Sequence, residues 1–307
     1  MADELPIGDL DARIRREAQL WLTIRTHDGE EPISSEDLRE FEIDGEPFAL
    51  MDRQRGIRKP RQLTAALSIR TVYTPDNRTR PYEDAVGPDG LLRYKWRGDD
   101  PNHAENRALR EAMRQKVPLI WFFGIAPGVY KPIYPVYLLW EEREQQQFVV
   151  DPNVTEGLVT EGQHVSEPLR RYLLQQTRRR LHQPVFRASV LRAYETRCAV
   201  CALRHPELLD AAHIVADREE AGIPAVRNGL AMCKIHHAAY DASVLGIRPD
   251  LVVEIRRDLL EEIDGPMLEH GLKGRHGKRL MVVPRARIER PDAELLERRY
   301  AAFRSAG

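Results

Sequence analysis

Apolar residues recur along the first segment at Leu10, Ile14, Ala18 and Leu22, with Leu20 and Trp21 between them and charges elsewhere. That period predicts a helix over 10–24, with Asp9 as its N-cap. A short second helix is expected at 35–41. From 65 to 73 the pattern changes to mixed apolar and β-branched residues, the mark of a strand, and another strand is expected at 91–96. A turn-rich loop over 98–103 leads into a predicted helix at 104–116, with Asn102 as its cap. Two apolar stretches, 118–125 and 134–140, joined by Ala126-Pro127-Gly128, read as paired strands around a turn, and 148–150 as a third. Periodicity is lost over 151–168, a candidate boundary. Beyond it, 169–182 reads as a helix, 210–214 as a short strand, 251–255 as strand-like and 293–303 as a closing helix. The front half is β-rich, and the class expected for the chain is α+β.

At 307 residues the chain exceeds the size at which a single core is usual, so two domains are expected. They are placed at 1–165 and 186–307, with a basic helical linker over 166–185. The formal charge of −1 argues against a generally basic coat, so any nucleic-acid surface has to come from local clusters. One is present: between 169 and 204, Arg170, Arg171, Arg178, Arg179, Arg180, Arg187, Arg192, Arg197 and Arg204 stand against Glu195 alone. Phosphate neutralisation is the natural use of such an excess, and a solvated helix face is the plainer alternative. No apolar run approaches the roughly 20 residues that span a bilayer. The opening Met-Ala-Asp-Glu-Leu-Pro has neither a basic head nor an apolar signal region. The expectation is a cytoplasmic protein with no membrane partner.

All three cysteines of the chain lie in one segment. Cys198-Ala-Val-Cys201 is followed by Asp210-Ala-Ala-His213, by Asn228-Gly-Leu, and by Cys233-Lys-Ile-His236-His237-Ala-Ala-Tyr-Asp241. An odd number of cysteines, gathered with histidine, suits a metal in a reduced compartment better than disulfides. A Cys-x2-Cys pair grips one ion from a tight turn, and Cys233-x2-His236 completes a tetrahedral Cys3His set, so a structural Zn2+ is expected. A second site follows from the remaining residues. His213, at the end of the predicted strand, is a candidate general base. Asn228 either orients His213 or pins its loop. His237 and Asp241 stand four apart on the helix predicted after Cys233, on one face, where both can reach one divalent ion. The Cys-x2-His spacing assigns His236 to zinc and leaves His237 for chemistry.

On these residues the segment resembles the ββα-metal HNH endonuclease family in its zinc-clamped form. The resemblance implies that His213 is the base, that Asn228 supports it, and that His237 with Asp241 holds the catalytic ion, Mg2+ or Mn2+. Many members carry a metal ligand immediately before the base, where this chain has Ala212. Asp210 is a candidate replacement, although strand alternation places it on the opposite face from His213.

The front half then has to supply a target. Around its predicted strand ends it interleaves aromatics, carboxylates and Arg, in Pro81-Tyr-Glu-Asp84 and in Asp89-Gly-Leu-Leu-Arg-Tyr-Lys-Trp-Arg-Gly98. A protein that flips a base needs aromatic walls and a polar reader, for which Tyr82, Tyr94 and Trp96, and Asp84 or Asp89, are candidates. Ordinary core aromatics and an ordinary Asp-Gly turn are the plainer reading. The whole arrangement is similar to modification-dependent restriction endonucleases with an SRA-like or PUA-like reader. It implies a type IV-like enzyme that flips a modified cytosine in double-stranded DNA and cuts nearby, as a homodimer or as two copies meeting on DNA. An HNH endonuclease acting on unmodified sequence and an inactive DNA-binding regulator are the alternatives.

Overall fold

The computed structural model describes residues 7–52, 54–73, 92–151, 182–216, 225–263 and 265–306. They fall into two compact units, the first ending at Val185 and the second running on from Phe186. The boundary expected near 165 and the helix expected over 169–182 lie outside the described residues, except for His182.

The first unit opens with α1 (Ile7–Arg25). It begins before Asp9, which therefore lies inside the helix instead of capping it. The helix expected at 35–41 is reduced to a single 3-10 turn, Asp37–Glu40, with the small strands β1 (Ile33–Ser34), β2 (Glu42–Ile43) and β3 (Glu46–Pro47) around it. Then follow β4 (Ile57–Arg58), β5 (Ser68–Thr71), β6 (Leu92–Lys95), α2 (Ala104–Gln115), β7 (Leu119–Ala126), β8 (Val129–Glu142) and β9 (Gln147–Asp151). His103, not Asn102, caps α2: its Nδ1 accepts the Glu105 amide at 3.3 Å. The second of the paired strands is longer than its apolar stretch, because β8 continues through Pro132 and Pro135 while still pairing with β7 on one side and β9 on the other.

One mixed sheet results, in the order β4-β5-β7-β8-β9-β6, with β1 joined to β8. Only β5 and β7 run parallel. Every residue of β7 is buried, as expected for a strand covered on both faces. Ile120 and Phe122 share a core with Ile14, Ala18 and Leu22 of α1. Trp121, one residue out of step, meets Tyr94 of β6 edge-on, with ring centroids 6.0 Å apart. The Tyr94 hydroxyl donates to the carbonyls of Gly56, at 2.9 Å, and Arg70, at 3.1 Å. β6 and the β4–β5 end are opposite edges of the sheet, so Tyr94 draws them together and the sheet curls into a half-barrel. Burial pushes the Tyr94 pKa upward, which keeps the hydroxyl protonated as a donor.

The second unit contains α3 (Gln183–Ala193), the antiparallel pair β10 (Leu209–His213) and β11 (Gly229–Cys233), and α4 (Lys234–Asp241). The antiparallel pair β12 (Leu245–Ile247) and β13 (Val253–Ile255), α5 (Arg257–Glu261), a π-helical turn over Met267–Leu272 and α6 (Ala293–Ala306) complete it. One core, including Phe186, Val190, Tyr194, Leu209, Leu230, Tyr240, Leu245 and Leu296, runs through these elements. No helix among the described residues is long and apolar enough to cross a membrane.

Candidate functional site

The Cys198–Cys201 turn is built by its backbone. Cys198 N–H donates to the Leu203 carbonyl and Ala202 N–H to the Cys198 carbonyl, both at 2.9 Å. Ala202 takes a positive φ of 60° to close the loop. Cys233 ends β11 and caps α4, so His236 falls in the first turn of that helix. The ligand atoms of Cys198, Cys201, Cys233 and His236 all lie within 4.8 Å of one another, with Cys198, Cys233 and His236 buried. His236 Nδ1 faces the sulfurs of Cys233, at 3.1 Å, and Cys198, at 3.6 Å. Its Nε2 is 2.8 Å from the Gly271 carbonyl. A carbonyl only accepts, so Nε2 carries the proton and the Nδ1 lone pair is turned to the cluster, as a metal-bound imidazole requires. The Cys198 and Cys201 sulfurs draw the Cys233 thiol well below its ordinary pKa, favouring the thiolate that binds metal. Without an ion, and against an opposing desolvation, Cys198 and Cys233 raise the His236 pKa, so an ion binding at Nδ1 would displace a proton. Three sulfurs and one nitrogen converging at this spacing can hold one tetrahedral ion.

His237 follows His236 but lies on another side of α4 and is only half-buried. Two carboxylates bracket its ring. Asp210 Oδ2 is 3.6 Å from Nδ1, and Asp241 Oδ2 is 3.3 Å from Nε2. The strand alternation that separates Asp210 from His213 puts it on the face of Ala212, which is fully buried. From that face Asp210 reaches α4. Its Oδ1 accepts the Ala211 amide at 2.9 Å, and Lys234 Nζ lies 3.4 Å from Oδ2. Burial opposes ionisation of Asp210, but His237, the Ala211 amide and Lys234 outweigh it and hold the carboxyl well below the usual range. Asp210 in turn raises His237, against desolvation, with Asp241 adding to the effect.

His213 ends β10, opposite Gly229 of β11. Its ring stacks on Phe186 of α3, centroids 3.9 Å apart and planes 13° from parallel. Asn228 is fully buried. Its side-chain oxygen accepts from Val215 N–H and its amide donates to the Val215 carbonyl, both at 2.9 Å, while Ile214 N–H donates to the Asn228 carbonyl at 2.9 Å. Of the two roles open to Asn228, these bonds carry out the pinning of the loop that leaves His213. His276 Nδ1 accepts from Ile255 N–H at 3.1 Å, and His205 and His270 are exposed.

In the first unit, the Arg110 guanidinium lies 5.2 Å above the Trp96 ring and is anchored on Glu141 at 2.7 Å. The hydroxyl of Tyr94 is committed to closing the sheet. Tyr82, Asp84, Asp89, Arg178, Arg179 and Arg180 lie outside the described residues. Sequence spacing carried no signal for Phe186 or for the Gly271 carbonyl, because both reach the site from elements distant in the chain.

Residues 198–248 match the family described as HNH endonuclease. Among solved structures, the chain is similar to a modification-dependent TagI restriction endonuclease, at 18% identity over 78% of this chain and 81% of that one, with a TM-score of 0.30. It is also similar to the type IV phosphorothioation-dependent restriction endonuclease ScoMcrA, at 12% identity over 83% of this chain and 52% of that one, with a TM-score of 0.23. No curated protein matches.

Proposed function

We propose that this chain, which carries an HNH endonuclease domain at residues 198–248, is a type IV-like restriction enzyme. Its front unit flips and reads a modified cytosine in double-stranded DNA, in the manner of SRA-like or PUA-like readers, and its second unit hydrolyses phosphodiester bonds nearby. The observation that carries the nuclease reading is the division of labour on α4: His236 is buried among three sulfurs, while His237 stands half-buried between two carboxylates. The first set suits a structural Zn2+. The second suits Mg2+ or Mn2+, which when bound would supply positive charge to the phosphate and the leaving oxygen.

The two carboxylates approach opposite nitrogens of one imidazole, so a single ion uses only one edge of the ring. The Asp210 edge is the better prepared. Asp210 is set on a paired strand with one oxygen held by the Ala211 amide, whereas Asp241 is exposed at the end of α4. Asp241 then orients His237 through Nε2. His213 takes the proton of the attacking water, and Asn228 holds the loop that presents it. Cutting both strands calls for two such sites, hence a homodimer or two copies on one DNA.

The test is cleavage of matched duplexes carrying cytosine, 5-methylcytosine, 5-hydroxymethylcytosine or glucosylated hydroxymethylcytosine, each with magnesium, manganese or EDTA. Selective, metal-dependent cutting of modified DNA is expected. Equal cutting of all four would reject modification dependence and leave an endonuclease acting on unmodified DNA. Tight binding with no cutting under any condition would instead identify a regulator. His213→Ala is expected to lower the cleavage rate by roughly 100-fold to 10,000-fold with binding retained.

A further inference from the structure

Phe186 belongs to α3, an element with no part in the chemistry proposed above, yet its ring lies almost parallel on His213 at 3.9 Å. It is 3% exposed, so the contact is part of the core. The strand opposite makes room for it. His213 pairs with Gly229, where a Cβ would come within 3.0 Å of Phe186 Cζ and would also run into Val190. The missing side chain on β11 is what allows α3 to press its aromatic ring against the imidazole. Tyr194, one turn beyond Val190 on the same side, donates its hydroxyl to the Gly229 carbonyl at 3.2 Å and ties the end of the helix to that pair.

The torsion that turns an imidazole about its bond to Cβ has a broad, weakly restrained minimum. A general base needs one edge held toward the water it deprotonates, because small misplacements are costly to rate. A flat neighbour on the ring face removes the tilting freedom and leaves the nitrogens, which lie on the ring edge, open to hydrogen bonds. We propose that Phe186 is the positioning residue of His213, setting the plane of the imidazole and hence the edge offered to the attacking water. This rests on the reading of His213 as the general base.

The experiment measures kcat and KM of the full chain on a cleavable duplex, with thermal melting in parallel. Phe186→Leu keeps an apolar side chain but loses the flat face, and its kcat is expected to fall roughly tenfold to 100-fold with KM unchanged. Should that variant not fold, Phe186→Met, a more adaptable filler, carries the same comparison. Val190→Ala, which loosens the same helix without touching the stack, is expected to lower the melting temperature without the loss in kcat. In the folded wild-type protein, the His213 ring protons, identified by their disappearance in His213→Ala, should show an upfield ring-current shift that Phe186→Leu abolishes. Wild-type kcat in Phe186→Leu, or an equal kcat loss in Val190→Ala at matched destabilisation, would overturn the proposal. Near-normal cleavage by His213→Ala would overturn instead the general-base reading beneath it.

Discussion

His236 and His237 are consecutive residues of α4, yet one is buried with its Nδ1 against two sulfurs and the other stands half-buried between Asp210 and Asp241. A helix turns about 100° per residue, so neighbours cannot share a face. A short helix docked on the β10–β11 pair thus turns His236 to the cysteines and His237 to the carboxylates from one turn.

The first consequence concerns folding. The Cys3His cluster joins the Cys198–Cys201 turn, the end of β11 and, through the His236–Gly271 hydrogen bond, the turn at 267–272. Cys198→Ser or Cys233→Ser is therefore expected to unfold the second unit, because the metal's binding energy is folding energy in such sites. Zinc content by mass spectrometry and thermal melting check this. A soluble, zinc-replete Cys198→Ser variant with a normal melting temperature would contradict it.

The second concerns protonation. His237 is raised above the ordinary imidazole value of about 6.5, and Asp210 is the foremost cause. The stabilisation that charged His237 adds is complete below the unfolded value and is lost as pH rises through the higher folded one. Asp210 runs the other way: its contribution is present above the unfolded carboxylate value near ~3.9 and fades as pH falls through its depressed folded value. In protein that keeps zinc at the Cys3His cluster but is given no Mg2+ or Mn2+, the His237 titration followed by NMR should have its midpoint above that of a free imidazole, and Asp210→Asn should move it down. A midpoint unchanged by Asp210→Asn would show that the two side chains are not coupled.

The third concerns Gly229. A Cβ added there would run into Val190 and Phe186, so alanine overpacks the site. Gly229→Ala is expected to destabilise the second unit by about 1–3 kcal/mol, measured by urea denaturation. No loss of stability would mean that α3 can retreat freely from β11.

The fourth concerns the first unit. Tyr94→Phe removes the hydroxyl that bridges the Gly56 and Arg70 carbonyls, although the Gly56 carbonyl still accepts from Arg70 N–H at 2.7 Å. A loss of about 0.5–1.5 kcal/mol, that of a hydrogen bond removed, is expected, again read by denaturation. Equal stability would show that the sheet closes through its apolar contacts alone.

Local spacing brought Cys198, Cys201, Cys233 and His236 together from the sequence alone: Cys-x2-Cys needs only a tight turn and Cys-x2-His only a strand end running into a helix, so a cluster that could hold one ion was legible without a fold. The helices at 10–24, 104–116, after Cys233 and at 293–303 and the longer strands were legible for the same reason, since period and turn chemistry act within a few residues of each other, whereas α3, α5 and the shortest strands were not expected. The first helix began earlier than its apolar stripe, and the segment at 35–41 made one 3-10 turn, because contacts elsewhere in the core decided those ends. Tertiary structure alone decided the partners that arrive from afar. Phe186 lies on His213, the Gly271 carbonyl accepts a hydrogen bond from His236 Nε2–H, Asp210 turns to His237 on the face it shares with Ala212, and the Tyr94 hydroxyl closes a sheet between opposite edges. Each of these contacts exists only once packing has set strand register and helix rotation, which no short-range pattern encodes.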